Sequence, residues 1–116
     1  MIRLQEGGLQ RYVFGSFPQR GIFHGLFNRR GGHSEGAFAS LNVGHTVGDD
    51  AEKVEANHRA IYRLLDVRAE SVVSAQQVHG EAIAIVASQD GGKVLSDTDA
   101  LISDVSGLFL MLRVAD

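Results

Sequence analysis

The sequence has no cysteine and no tryptophan, a single proline, and an aromatic content of 7%. Without cysteine there is no disulfide framework, no thiolate metal ligand and no thiol nucleophile. That pattern fits a reducing compartment, and a cytoplasmic location is expected. A basic excess is also missing: 11 Lys and Arg stand against 14 Asp and Glu, a net charge of −3 with His neutral. Neither nucleic acid nor an anionic membrane surface is therefore expected as a main partner. No apolar run approaches the roughly 20 residues of a membrane span. Residues 1–10 lack the apolar centre and cleavage site of a secretory signal. Several motifs are absent as well. There is no Walker A loop, no G-x-G-x-x-G, no His-Glu-x-x-His and no G-x-S-x-G, so P-loop and dinucleotide sites lack support and a serine triad has no elbow to place its nucleophile.

What is present suffices for one domain with one core: 116 residues, 44% apolar and 22% charged. The 14 glycines imply positions of special backbone angle or close approach, and they crowd into residues 21–48. A short strand is expected through Ile2 and Leu4, then a turn at Gly7-Gly8. A strand over Arg11 to Phe17 follows, with Tyr12, Phe14 and Phe17 on its inner side. Pro18-Gln19-Arg20-Gly21 has turn chemistry. The apolar run Ile22 to Phe27 is interrupted by His24-Gly25, which suggests a bulge or a close backbone approach. From Asn28 to Gly48 no period survives. The embedded Phe38, Leu41, Val43 and Val47 predict an ordered loop pinned to the core.

The clearest element is a helix over residues 50–65. Asp49 is its expected N-cap, with Glu52 completing an Asp variant of the capping box. Val54, Asn57 or His58, Ile61, Leu64 and Leu65 recur at helical spacing, and Glu55 with Arg59 forms an i,i+4 pair. Beyond it, Ser71 to Val78 and Glu81 to Ala87 read as two arms of a hairpin-like pair, followed by a turn at Ser88 to Gly92. Leu108 to Val114 is apolar on both faces, which belongs in the middle of a sheet or between layers. Such a strand needs partners on both faces, so the domain is expected to be cut in the middle.

Three groups carry chemical interest. His79, in Gln76-Gln77-Val78-His79-Gly80, is a titratable, metal-competent side chain at the end of a strand. A histidine in that position is more often a hydrogen-bonded surface residue than a ligand. Asp97 and Asp99 form a D-x-D that would bind a hard cation, hold an adjacent loop, or simply make a polar turn. Arg29 and Arg30 beside Gly31-Gly32 suit phosphate, through guanidinium forks and glycine amides, or a solvated loop.

In order along the chain stand Phe27-Asn28-Arg29-Arg30-Gly31-Gly32-His33-Ser34, Phe38-Ala39-Ser40-Leu41-Asn42-Val43-Gly44, Val47-Gly48-Asp49-Asp50, Asn57-His58-Arg59, Gln76-Gln77-Val78-His79-Gly80 and Asp97-Thr98-Asp99-Ala100-Leu101-Ile102. Together they resemble the YfiH family. That family has been called multicopper polyphenol oxidase or laccase-like. It is also described as zinc-containing purine nucleoside phosphorylase with adenosine deaminase activity, and linked to peptidoglycan editing. The resemblance covers residues 22–116; where Asn28 stands, the family usually has threonine. It implies an α+β fold, a layered mixed β-sheet with covering helices, of which this chain would be the N-terminal portion of a single domain.

The resemblance also implies a zinc site of three ligands: the histidine of the Q-V-H-G motif, a cysteine directly after an Ala-Asp pair, and a histidine in a later H-A-G-W-R-G motif. The first maps onto His79, which is thus the expected catalytic and metal-ligating residue. The Ala-Asp pair maps onto Ala115-Asp116. Arg29, Asn42 and Gln77 are the expected substrate-binding residues, for purine nucleosides and phosphate. Catalytic zinc commonly takes three protein ligands and an open position for water, whose pKa it lowers. A chain with one of three ligands is expected to be catalytically incomplete, or a non-catalytic module, when alone. Copper-dependent phenol oxidation is the alternative, although copper oxidases need several histidine-rich sites and five scattered histidines show no such pattern.

Overall fold

The computed structural model describes residues 1–17 and 20–114. Pro18 and Gln19 of the expected turn, and the Ala115-Asp116 pair, lie outside the described residues. The chain forms two compact units, Met1–Leu64 and Leu65–Asp116. Among the described residues no helix is long and apolar enough to cross a membrane.

In the first unit, β1 (Ile2–Glu6), β2 (Leu9–Val13) and β3 (Leu26–Phe27) form an antiparallel sheet in that order. Gly7 and Gly8 both adopt positive φ, +56° and +82°. This is what a two-residue primed turn demands, and it sets the register from Glu6 opposite Leu9 to Ile2 opposite Val13. The turn thus starts β2 at Leu9, earlier than the expected Arg11, and makes Leu9 the deeply buried residue. The strand ends at Val13, so Phe14 and Phe17 do not line an inner face; both are exposed. They gather around His24, with ring centroids 5.7 Å and 4.6 Å from it, and the Phe14 amide donates to His24 Nε2 at 2.6 Å. The same contacts hold most of the Ile22–Phe27 run out of the sheet. What approaches Gly25 is a side chain and not another backbone: an added Cβ would lie 3.3 Å from Arg11 Cδ.

The helix is α1, Ala51–Leu65. Its cap is Asp50, not Asp49: Asp50 Oδ1 accepts from the Glu52 amide at 2.8 Å. Val54, Asn57, His58 and Ile61 form its buried face. Glu55 makes no ion pair with Arg59 among the described residues; it faces His45 instead, at 3.7 Å. Asp66, at φ +53°, turns the chain out of the helix.

In the second unit, β4 (Val72–Ala75), β5 (Ile83–Ile85), β6 (Val94–Leu95), β7 (Ala100–Ile102) and β8 (Phe109–Met111) form two sheets. One has the order β6-β4-β8 and the other pairs β5 with β7; every pairing is parallel. The hairpin expected between β4 and β5 does not form. β4 takes β6 and β8 as its neighbours and β5 takes β7, so Gln76 to Ala82 is a loop between sheets. The central strand is β4, with all four residues buried, rather than the apolar 108–114 segment. Within the described order β8 is an edge, and its alternate residue Leu110 is 43% exposed. Parallel crossovers explain this: the strand with neighbours on both sides takes the burial.

Candidate functional site

The expected site residues fall in both units. In the first, the glycine-rich loop is held by its own backbone. The Arg29 carbonyl accepts from the Ser40 and Leu41 amides at 2.8 and 2.7 Å. The Arg30 amide bonds Asn28 Oδ1 at 3.0 Å, and the Gly32 amide bonds Ser40 Oγ at 3.1 Å. Gly31 (φ +89°) packs where a Cβ would meet Gly8 O at 2.1 Å, and Gly32 where one would meet Ser40 O at 2.2 Å. These glycines permit close chain packing, and the Gly32 amide is committed within the loop rather than turned to an anion. The Arg29 side chain is exposed.

Beneath this loop lies a polar cluster centred on Asn57, fully buried on α1. Asn57 Oδ1 accepts from the His33 amide at 2.6 Å. Its Nδ2 donates to Ser34 Oγ at 2.9 Å and to the Asn42 carbonyl at 2.7 Å. Ser34 Oγ in turn donates to Asp49 Oδ2, which also accepts from Asn42 Nδ2 at 3.1 Å. Asn42 Oδ1 takes the Gly44 amide at 3.1 Å. The Asn42 amide thus has partners at both ends inside the loop. Asp49 is held below its ordinary carboxylate value, first by the Ser34 hydroxyl, against a smaller opposing desolvation, with the Asn42 amide, the Asp50 N–H and the Lys53 charge adding to the lowering. Sequence reading missed this network as a unit. Its one available signal was Asn57 itself: an amide on an apolar helix face must find partners elsewhere. Alongside it, His58 is buried, with Nε2 3.0 Å from the Val43 carbonyl, and stacks on His45 at 4.8 Å.

An open hollow of about 390 Å³ against the first sheet also escaped sequence reading. Arg11 reaches it with its guanidinium 5.4 Å from the Phe23 ring centroid and 3.4 Å from Glu6.

In the second unit the expected residues follow the carboxyl end of β4 in its parallel sheet, a position where open α/β sheets generally bind ligands. After β4, the Gln76 amide bonds the Leu95 carbonyl at 2.8 Å, and the Thr98 amide bonds the Gln76 carbonyl at 3.2 Å. Gln77 Oε1 accepts from the Arg113 amide at 3.1 Å, and Arg113 Nη2 donates to the Ala75 carbonyl at 3.3 Å. His79 follows, exposed, at φ +58°. Its ring makes no hydrogen bond or ion pair among the described residues. The D-x-D splits in role. Asp97 has positive φ, +51°, while Asp99 accepts the Val78 and Gly80 amides at 2.8 and 2.9 Å. Of the readings open for the pair, loop holding is the one observed.

A zinc centre of three ligands does not fit the described residues by themselves. No group of three His, Asp or Glu that could hold a metal occurs among them. His79 supplies one exposed imidazole, and the nearby Asp99 carboxylate is spent on backbone amides.

Comparison with known proteins adds the following. The family model described as multi-copper polyphenol oxidoreductase laccase matches residues 23–116. Purine nucleoside phosphorylase YlmD of Geobacillus stearothermophilus is 38% identical over 109 residues, which are 88% of this chain and 40% of that protein. The crystal structure of the hypothetical protein YfiH of Bacillus licheniformis is similar at a TM-score of 0.87 and 30% identity, over 98% of this chain and 44% of that one. The crystal structure of YlmD from Geobacillus stearothermophilus gives 0.87 at 36% identity, over 99% and 45%. The expected mixed helix-and-sheet fold is thus the one found, and the chain spans about two fifths of the length of the curated relative it matches.

Proposed function

The chain belongs to the family described as multi-copper polyphenol oxidoreductase laccase, and from that membership we propose that it carries part of a zinc-dependent purine nucleoside phosphorylase, acting on adenosine, inosine and guanosine with adenosine deaminase activity besides. The name of the Geobacillus relative supports the phosphorylase reading. The observation that carries it is His79: an exposed imidazole with an unengaged ring, at the carboxyl end of a parallel sheet. In this reading His79 is one of three zinc ligands, and the other two lie in the length of the relatives that this chain does not span. Arg29 offers its exposed guanidinium to phosphate. Gln77 in the second unit and Asn42 in the first each keep an amide hydrogen beyond those their present partners take, and each is read as a donor to substrate.

The isolated chain is inactive in this reading, because one imidazole does not hold catalytic zinc. Phosphate-dependent release of hypoxanthine from inosine tests it. The expected result is none for this chain. A chimera carrying the remaining length of the Geobacillus relative is expected to turn over inosine and to lose both zinc and turnover on His79→Ala. Turnover by the 116-residue chain alone refutes the incomplete-site reading. Retention of zinc by the His79→Ala chimera removes His79 as a ligand, and phosphate dependence unchanged by Arg29→Met in the chimera removes Arg29 from the phosphate site. The family description itself favours a second reading, copper-dependent phenol oxidation. Oxidation of a phenol by the copper-loaded chimera, without phosphorolysis, would establish it.

A further inference from the structure

We infer that Asp99 is the positioning residue of the His79 turn: by accepting the two amides that flank His79, its carboxylate sets the direction in which the imidazole leaves the sheet. The inference deepens the proposal above and rests on it for the purpose of the imidazole, but not for the geometry. Val78 N–H donates to Asp99 Oδ1 at 2.8 Å and Gly80 N–H to Oδ2 at 2.9 Å. Each oxygen takes the amide on one side of His79, so the carboxylate spans the turn. An anionic acceptor makes both bonds stronger than neutral ones.

The conformation they hold is uncommon. His79 sits at φ +58°, a region that residues with a Cβ seldom occupy and that clusters at functional sites. A glycine that could take this angle without steric cost is next in the chain, yet Gly80 does not have positive φ. The left-handed position is therefore given to the residue that carries the imidazole. A Cβ at Gly80 would come to 3.1 Å from Asp99 Oδ2, so a larger residue there would press on the carboxylate and shift it by a few tenths of an ångström. Asp99 is itself anchored. Its amide donates to the Ala82 carbonyl at 3.0 Å, and the next residue, Ala100, begins β7 in register with Ile83 of β5.

This arrangement differs from a histidine–carboxylate dyad. Both oxygens of Asp99 go to backbone amides, and neither bonds the ring. Asp99 acts on His79 through the backbone and leaves both ring nitrogens to an incoming group. Asp97, two residues earlier in the same motif, makes no such contact and serves as the internal control.

Amide hydrogen exchange and the His79 HN–Hα coupling, measured by NMR on the 116-residue chain, test the inference. In the wild type the Val78 and Gly80 amides are protected and the coupling reports a left-handed residue. Asp99→Ala removes that protection at both amides by at least about tenfold, as expected for bonds to a charged acceptor, and shifts the coupling. Asp99→Asn, with one carbonyl left, keeps protection on one side only, and Asp97→Asn changes neither amide. The Val86 amide, which bonds Ile102 beside the β5–β7 pair at 2.8 Å, stays protected in every variant. Unchanged exchange at Val78 and Gly80 in Asp99→Ala overturns the inference. So does a loss that comes only together with Val86, because Asp99 would then support the sheet and not the turn. None of these readouts involves zinc, so retention of zinc by the His79→Ala chimera defeats the ligand reading and leaves the clamp intact.

Discussion

At the scale of single residues, the first unit depends on one amide. Asn57 makes three hydrogen bonds from a fully buried position. Asn57→Ala would orphan the His33 amide and an Asn42 carbonyl as well as open a small void. A loss of about 2–4 kcal/mol is expected, since unsatisfied buried groups cost more than the bonds contribute; urea denaturation followed by circular dichroism measures it. Asp49 makes the same cluster sensitive to acid. Its carboxyl titrates below the ordinary value in the folded chain, chiefly because of the Ser34 hydroxyl. In acid the unfolded state therefore binds its proton first. The contribution is present above the unfolded pKa, about 4, and is lost as pH falls through the lower folded pKa. Asp49→Asn should accordingly flatten the dependence of the urea midpoint on pH below about 4, and an unaltered slope would show that Asp49 is not the titrating group. Asn57 was visible in the sequence as the polar residue of an apolar face. Its partners were not, because they come from positions 15 to 24 residues away that no local period connects.

At the scale of elements, the helix was legible and its first turn was not. The spacing of Val54, Asn57, His58 and Ile61 is a property of the chain itself, and the observed α1 follows it. Two adjacent aspartates, Asp49 and Asp50, compete for the cap, and the sequence does not rank them. The loop does: Ser34 and Asn42 draw the Asp49 carboxylate away, and Asp50 is left for the Glu52 amide. Asp50→Ala should then lower stability by about 1 kcal/mol, as for a typical lost N-cap, with a smaller loss of helical circular dichroism than of cooperativity. The hairpin expected at His79-Gly80 failed for a related reason. An apolar run, a turn and another apolar run describe a hairpin and a passage from one sheet to another equally well. Which one forms depends on what meets the turn, and here Asp99 meets it from 19 to 21 residues away.

At the scale of the whole molecule, the second unit carries an apolar face that faces solvent. Ile83, Ile85 and Ile102 are 62%, 84% and 53% exposed. Ile85 stands opposite Ile102 in the parallel register, so the three share one side of the β5–β7 pair. Leu112 and Val114, near β8, are exposed too, as expected for an apolar strand that lacks cover. Faces of this kind mark interaction sites or drive association. Ile85→Lys should change stability by less than about 0.5 kcal/mol, as at other exposed positions, while reducing concentration-dependent association in sedimentation velocity. An unchanged association profile would place the sticky surface elsewhere.

Composition, motif order and helical period by themselves determined the family, the mixed fold class and the long helix α1. These are written in residue types and short spacings, which survive without three-dimensional information. Tertiary structure alone decided that the strands of the second unit pair in parallel, that β4 rather than the more apolar segment is central, and that Asp49 serves the loop while Asp50 serves the helix. It also decided that Asp99, and not Asp97, grips the His79 turn. In each case several partners of suitable chemistry were within reach of the sequence. The choice fell to long-range hydrogen bonds, whose strength depends on distances and angles that only the folded chain defines.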